Sequence, residues 1–253
     1  MKEPVVWGKC KSIYKWLSHH YIQRRSVVFI VDTQFDSVVY RDKAMKYVKD
    51  YYTTGLNDED FFGYISLDES TQSSMDEIIL ERRAANMKMK SRLLKEVSER
   101  QVDYVFSGTG GESSSKTIRL ERALEKAYEW QNTLVANTET EVHGKVYVGP
   151  HKWIVCLLGD DVYSINQFRL NNRDRLSKQQ NVSISIMTLS AEPKNSRYRS
   201  KDYRELTELT KEGLFVNIVD KNRCDLVAER FLSSMDVYPS QHRNSMREFF
   251  GSL

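Results

Sequence analysis

Four runs of the chain are short, β-branched or aromatic, and nearly continuous in apolar character: SVVFIVD (26–32), FFGYISL (61–67), KWIVCLLGD (152–160) and VSISIMTL (182–189). Strands covered on both faces need such runs, because strict alternation would set polar groups against a packed layer. VDYVF (102–106) and GLFVNIV (213–219) read as two further strands. Between them lie longer polar segments with helical periodicity: RDKAMKYVKDYYTTG, a stretch around MDEIILERRAANMKMKSRLLKEVSER, TIRLERALEKAYEWQ, SINQFRLNNRDRLSKQ and SKDYRELTELTKEG. Gly55 and Gly213 follow two of these helices at the C′ position, where a left-handed residue ends a helix well.

Strands alternating with helices predict an α/β fold, doubly wound, with a mostly parallel central sheet and helices on both faces, since parallel neighbours need a crossover. In that sheet 26–32 and 152–160 are expected as neighbouring interior strands, with Ile154 and Cys156 buried. FFGYISL follows its helix through the short turn 54–57, which also suits an antiparallel edge strand, and its direction stays open. Trp7, Ile13, Trp16, Leu17 and Tyr21 fall at the spacing of one helical face, and the end of the chain, HRNSMREFFGSL, is weakly helical. Residues 1–25 and 232–253 therefore read as packing extensions of a domain over 26–231. No internal repeat, low-complexity tract or Pro/Gly-rich linker marks a second domain, and 253 residues suit one doubly wound core.

Composition narrows the setting. No apolar run approaches the roughly 18 to 20 residues that span a bilayer. The start, MKEPVVWGKCKSIYKW, breaks every apolar stretch with Lys or Gly, so a secretory signal is not expected. Cys10, Cys156 and Cys224 are odd in number, far apart and without a CxxC pair, which reads as reduced thiols in an intracellular protein, cytoplasmic or nuclear. The Asn181-Val182-Ser183 sequon opens a strand and reads as accidental. A formal charge of +3 points to neither a nucleic-acid nor a membrane partner.

Ligands of open α/β sheets bind at the carboxyl ends of the strands, so the residues just after each strand carry the chemistry. Three such places hold acid or hydroxyl groups: Asp32-Thr33-Gln34-Phe35-Asp36, the loop SGTGGESSSKT (107–117), and Gly159-Asp160-Asp161. Oxygen ligands converging from three loops suit a hard cation such as Mg²⁺. The loop is no P-loop, because Ser115 stands where GxxxxGK[ST] requires glycine.

In the order of these elements the chain resembles the von Willebrand factor A family over about residues 26 to 231. That family has a strand ending in Asp-x-Ser-x-Ser, a Gly/Thr loop opening a helix with an Ala-Leu pair, and an apolar strand ending in a Thr-Asp-Gly-like turn. The resemblance implies a metal-ion-dependent adhesion site in which Mg²⁺ keeps one position open for an acidic group of a partner. Carried over residue by residue, Asp32 takes the first Asp, Gln34 the first Ser, Asp36 the second Ser and Asp160 the Asp of the last loop. Thr117, read as immediately preceding the helix with Ala123-Leu124, takes the threonine, with Thr109 the alternative. Gln34 and Asp36 depart from the family's serines. The implied site is thus degenerate, metal-free or holding Mg²⁺ weakly, and the implied function is non-catalytic protein–protein interaction, as a scaffold subunit of an intracellular complex.

Each residue also has an ordinary explanation: Asp32 and Asp160 as polar strand ends, Asp36 or Ser37 as a helix N-cap. A rival reading is a Mg²⁺-dependent phosphatase of the haloacid dehalogenase type, with Asp32 as nucleophile. Gln34 stands where that family has its general acid and cannot exchange a proton, so activity is not expected. A nucleic-acid role ranks third. His19-His20 beside Arg24-Arg25 reads as a solvated helix face, KNSRYRSKDYR (194–204) as an exposed loop and helix start, and Tyr51-Tyr52 and Phe61-Phe62 as core.

Overall fold

The structure, a computed structural model, describes residues 21–32, 35, 38–67, 76–91, 113–134, 140–142, 145–159, 164–179, 182–189, 197–218 and 223–233. Its strands are β1 (Tyr21–Asp32), β2 (Phe61–Leu67), β3 (Asp76–Arg82), β4 (Thr140–Val142), β5 (Lys145–Leu158), β6 (Ser183–Leu189) and β7 (Phe215–Ile218). Its helices are α1 (Val38–Asp50), α2 (Ser113–Thr133), α3 (Asn166–Gln179), α4 (Arg197–Glu208) and α5 (Cys224–Ser233). The strands form one sheet in the order β3-β2-β1-β5-β6-β7, with β4 paired antiparallel to β5. From β2 to β7 the neighbours run parallel, and β3 pairs antiparallel with β2 at the edge. The expected doubly wound α/β sheet is thus observed, and β1 and β5 are its central pair.

The apolar runs are continuous because successive residues feed two cores. Val27, Phe29 and Val31 of β1, with Trp153, Val155 and Leu157 of β5, pack under α1 and α5. Val28 and Ile30, with Ile154, Cys156 and Leu158, pack under α2, α3 and α4. Ile154 and Cys156 are fully buried, as expected, and burial pushes the Cys156 thiol well above its ordinary pKa. Tyr51, Tyr52 and Phe62 do enter the first core, with Tyr51 edge-on to Phe29 at 5.6 Å and Tyr52 edge-on to Phe62 at 5.1 Å.

Several expectations are corrected. The stretch around MDEIILER is not helical at its start: Asp76–Arg82 is strand β3, followed by a 3₁₀ turn at Arg83–Ala85. Pairing with β2 decides this, since a short segment with two adjacent isoleucines satisfies its backbone in the sheet as readily as in a helix. The direction of FFGYISL, open from the sequence, is parallel to β1, and the strand is interior because β3 takes the antiparallel edge position. Tyr21 opens strand β1 rather than lying on a helical face.

Arg24 and Arg25 are buried on β1, not on a solvated helix. The Asp60 carboxylate accepts from the Arg25 backbone N at 2.7 Å, its Nε at 3.1 Å and its Nη2 at 2.9 Å, and from the Asn57 N at 2.9 Å. This lock joins the start of β2 to β1, and Arg25 Nη2 also donates to the Gly55 carbonyl.

Neither Gly55 nor Gly213 is left-handed. Helix α1 ends in a π turn (Tyr51–Gly55), where Thr53 and Thr54 hydroxyls donate back to the Lys49 and Asp50 carbonyls at 2.9 and 2.6 Å. Such back-bonds compete with the regular ladder and bend a helix. Gly213 lies beyond the end of α4 and is required by close approach: a Cβ there would sit 2.3 Å from both the Ile184 and Thr207 carbonyl oxygens. VDYVF (102–106) lies outside the described residues.

Candidate functional site at the carboxyl edge

The crevice of a doubly wound sheet opens where the chain's connections diverge to opposite sides. Here that point lies between β1, which continues through α1 to β2, and β5, which continues through α3 to β6. Asp32 ends β1 there, in register with Leu67 at the end of β2, and is 1% exposed. Its Oδ2 accepts the backbone N–H of Gly159, just past β5, at 3.2 Å. The carboxylate therefore ties the two central strands together at their carboxyl ends. Phe35 is buried in the first core.

Helix α2 is oriented by a buried amide near its end. Gln131, fully buried, accepts from Ser26 Oγ at 2.7 Å and donates to the Ser26 and Trp153 carbonyls at 3.1 and 2.8 Å. Ser26 opens the β1–β2 pairing and Trp153 the β5–β6 pairing, so the end of α2 lies at the amino side of those pairings and the helix runs antiparallel to the strands, beginning toward their carboxyl ends. Beyond its end, Lys152 Nζ donates to the Leu134 carbonyl at 2.6 Å, and burial pulls that ammonium below its ordinary pKa. Glu121, in the first half of α2, accepts the Gln167 N–H at 2.9 Å and so caps the start of α3. Across the sheet, Thr188 and Asn217 are register partners near the ends of β6 and β7, and the Thr188 hydroxyl donates to Asn217 Oδ1 at 3.0 Å.

Of the residues carried over from sequence, Asp32 is the one whose side chain is placed. Thr117 lies inside α2, which begins at Ser113, so it does not immediately precede the helix. The apolar pattern starts at Ile118, whereas the hydrogen-bonded turns start earlier, in the serine run, and periodicity registers only the first. Gln34, Asp36, Asp160 and Thr109 lie outside the described residues. Among the described residues no three His, Cys, Asp or Glu side chains converge as a metal site, so the donor set for Mg²⁺ is not brought together by what is placed. Sequence reasoning missed Glu121, Thr188 and Asn217; a polar residue interrupting SISIMTL and FVNI was the available signal for the last two.

The fold and this edge define the class: a doubly wound α/β domain with its crevice at the β1–β5 switch point. No protein-family model matches the chain, and no curated protein matches it. Among solved structures it is similar to the crystal structure of the TFIIH p34 N-terminal domain, with 14% identity over 81% of this chain and 95% of that chain and a TM-score of 0.45. No helix among the described residues is long and apolar enough to cross a membrane.

Proposed function

We propose that the chain is a von Willebrand factor A-type, non-catalytic protein-binding module, a scaffold subunit of an intracellular assembly, which meets its partner through the loops at the carboxyl edge. The observation that carries this reading is the state of Asp32. A nucleophilic carboxylate must present an oxygen to a reacting group, whereas this one is buried and its Oδ2 is spent on the Gly159 amide, joining β1 to β5. That is the work of a residue that shapes a crevice. In sequence Gln34 and Asp36 follow Asp32, and Asp160 follows Gly159, polar groups suited to a partner's surface. With Gln34 and Asp36 in place of serines, Asp32, Gln34, Asp36, Thr117 and Asp160 are proposed to hold Mg²⁺ weakly or not at all.

The test has two arms. Asp36→Lys and Asp160→Lys, introduced into the full chain, are expected to abolish recovery of the native partners by mass spectrometry while leaving the melting temperature unchanged. Full retention of those partners by both variants would refute binding at this edge. Mg²⁺ at 100 times its dissociation constant would stabilise the fold by about 2.7 kcal/mol. No shift is expected, and a Mg²⁺-dependent rise in melting temperature lost in Asp160→Ala would make binding through a held ion the better account. Mg²⁺-dependent turnover of a phosphate ester, abolished by Asp32→Asn, would favour the phosphatase.

A further inference from the structure

A second concave surface lies at the opposite end of the sheet. The register places Ser26 of β1 beside Phe61 of β2, and Phe61 beside Arg82 of β3. The segments before β2 and after β3 therefore meet at the amino ends of the parallel strands, roughly 20 Å along β1 from Asp32 at about 3.3 Å per residue. There the π turn, the approach to β2 and the residues after β3 enclose a cleft of about 420 Å³. That volume lies within the range of about 300 to 1,000 Å³ typical of ligand-binding clefts.

The walls are held before anything binds. Arg83 donates from Nε to the Tyr52 carbonyl at 2.8 Å, from Nη2 to the Thr53 carbonyl at 3.0 Å and from Nη1 to Asp58 Oδ1 at 2.9 Å. Its guanidinium also lies 5.6 Å over the Tyr52 ring. Asn86, 1% exposed, donates to the Phe62 carbonyl and accepts the Met89 N–H, both at 3.1 Å.

The lining is mixed in character. Ala84 and Met87 give it exposed apolar surface, and Met87 is 62% exposed, a flexible thioether free to adapt to an incoming side chain. Lys49 and Lys90 also line it, and among the described residues neither has a carboxylate partner, whereas the charge of Arg83 is matched by Asp58. Apolar surface under unmatched cations is complementary to an apolar group flanked by carboxylates. Nucleic acid is disfavoured, because Arg83 already spends its three nitrogens within the protein and covers the Tyr52 face on which a base would stack.

We propose that this cleft docks an acidic peptide segment of a partner protein, its apolar side chain against Met87 and Ala84 and its carboxylates on Lys49 and Lys90. This site is independent of the carboxyl-edge reading. The probe is a displayed library of random peptides of about 12 residues, selected on the full chain and counter-selected on the Lys49→Glu/Lys90→Glu double variant, which leaves the Asp32 end untouched. Enriched peptides are expected to combine Asp or Glu with Leu, Phe or Met. Their affinity should fall at least tenfold in the double variant and in Met87→Glu, and should weaken with added salt as screening predicts. Melting temperatures should not change, since Met87 and Lys90 are exposed and Lys49 is half-exposed. Enrichment of neutral or basic peptides, equal binding to the double variant, or no enrichment over it would overturn the proposal. So would displacement of a bound peptide by inorganic phosphate beyond a matched ionic-strength control, which would mark a small-anion site instead.

Discussion

Gly213→Ala tests a close approach of backbone to backbone. The new Cβ would stand 2.3 Å from the Ile184 oxygen, 2.3 Å from the Thr207 oxygen and 2.4 Å from Thr210 Oγ1. An ordinary carbon–oxygen contact is about 3.3 Å or more, so each neighbour must give by roughly 1 Å. Two of the three are backbone atoms, and the third is hydrogen-bonded to the residues of both. Thr210 Oγ1 accepts the Ile184 N–H at 3.2 Å and donates to the Thr207 carbonyl at 2.9 Å, so moving one atom strains both bonds. Overpacking costs about 1 to 3 kcal/mol, and immovable neighbours place this case at the upper end. The stiffer unfolded chain returns about 0.4 to 1 kcal/mol. A net loss of about 2 kcal/mol remains, or roughly 4 to 8 °C in melting temperature for a chain of this length. Urea and thermal denaturation followed by circular dichroism would read it. Gly55→Ala is the control: its Cβ meets the Tyr51 ring at 3.0 Å, a contact relieved by a few tenths of an ångström rather than by about 1 Å, and a much smaller loss is expected. A Gly213→Ala protein within about 0.5 kcal/mol of wild type, the scatter of ordinary surface substitutions, would refute the close approach.

Other outcomes follow from buried and paired groups. Asp60→Asn should cost about 3 to 5 kcal/mol, because it strands a buried guanidinium; the pair's side chains are 10% and 1% exposed, and a loss under about 1 kcal/mol in urea unfolding would contradict a structural lock. Native Cys156 should react with a thiol reagent only as fast as the protein opens, being fully buried with its thiol pKa raised, and rapid labelling would count against an interior β5. Hydrogen bonds from Lys43 and Tyr47 hold the Asp225 carboxyl below its ordinary value. A depressed carboxyl gives stability that is present above its unfolded pKa and fades as pH falls through the folded one. Asp225→Asn should therefore remove a small, salt-sensitive part of the acid-side slope, measured in urea from about pH 5 to pH 2; the effect is small because the carboxylate is 60% exposed and screened. An unchanged slope would mean the contact with Lys43 is not held in solution.

The periodicities of the chain determined the layers. SVVFIVD and KWIVCLLGD carry no alternation, and only burial on both faces accommodates such runs in a soluble sheet, so their place as neighbouring interior strands was legible without coordinates. The amphipathic helices were legible for the same reason: 3.6-residue periodicity is a local signal. Asp32 was legible as a strand-end carboxylate, since topology sends ligands to that edge.

Tertiary structure alone decided the rest. DEIILER became a strand because β2 offers it an edge, and the pairing partner appears nowhere in its own seven residues. Arg24 and Arg25 look solvated in one dimension, yet Arg25 meets Asp60, 35 positions away. Gly213 resembled a helix cap, while its reason is a carbonyl of β6 lying almost against it. The cleft beside Lys49 and Lys90 draws on three separated segments of the chain. Propensity and period act over a turn or a pleat, whereas pairing, burial of charge and close approach depend on which distant segment arrives, and only the folded chain brings those segments together.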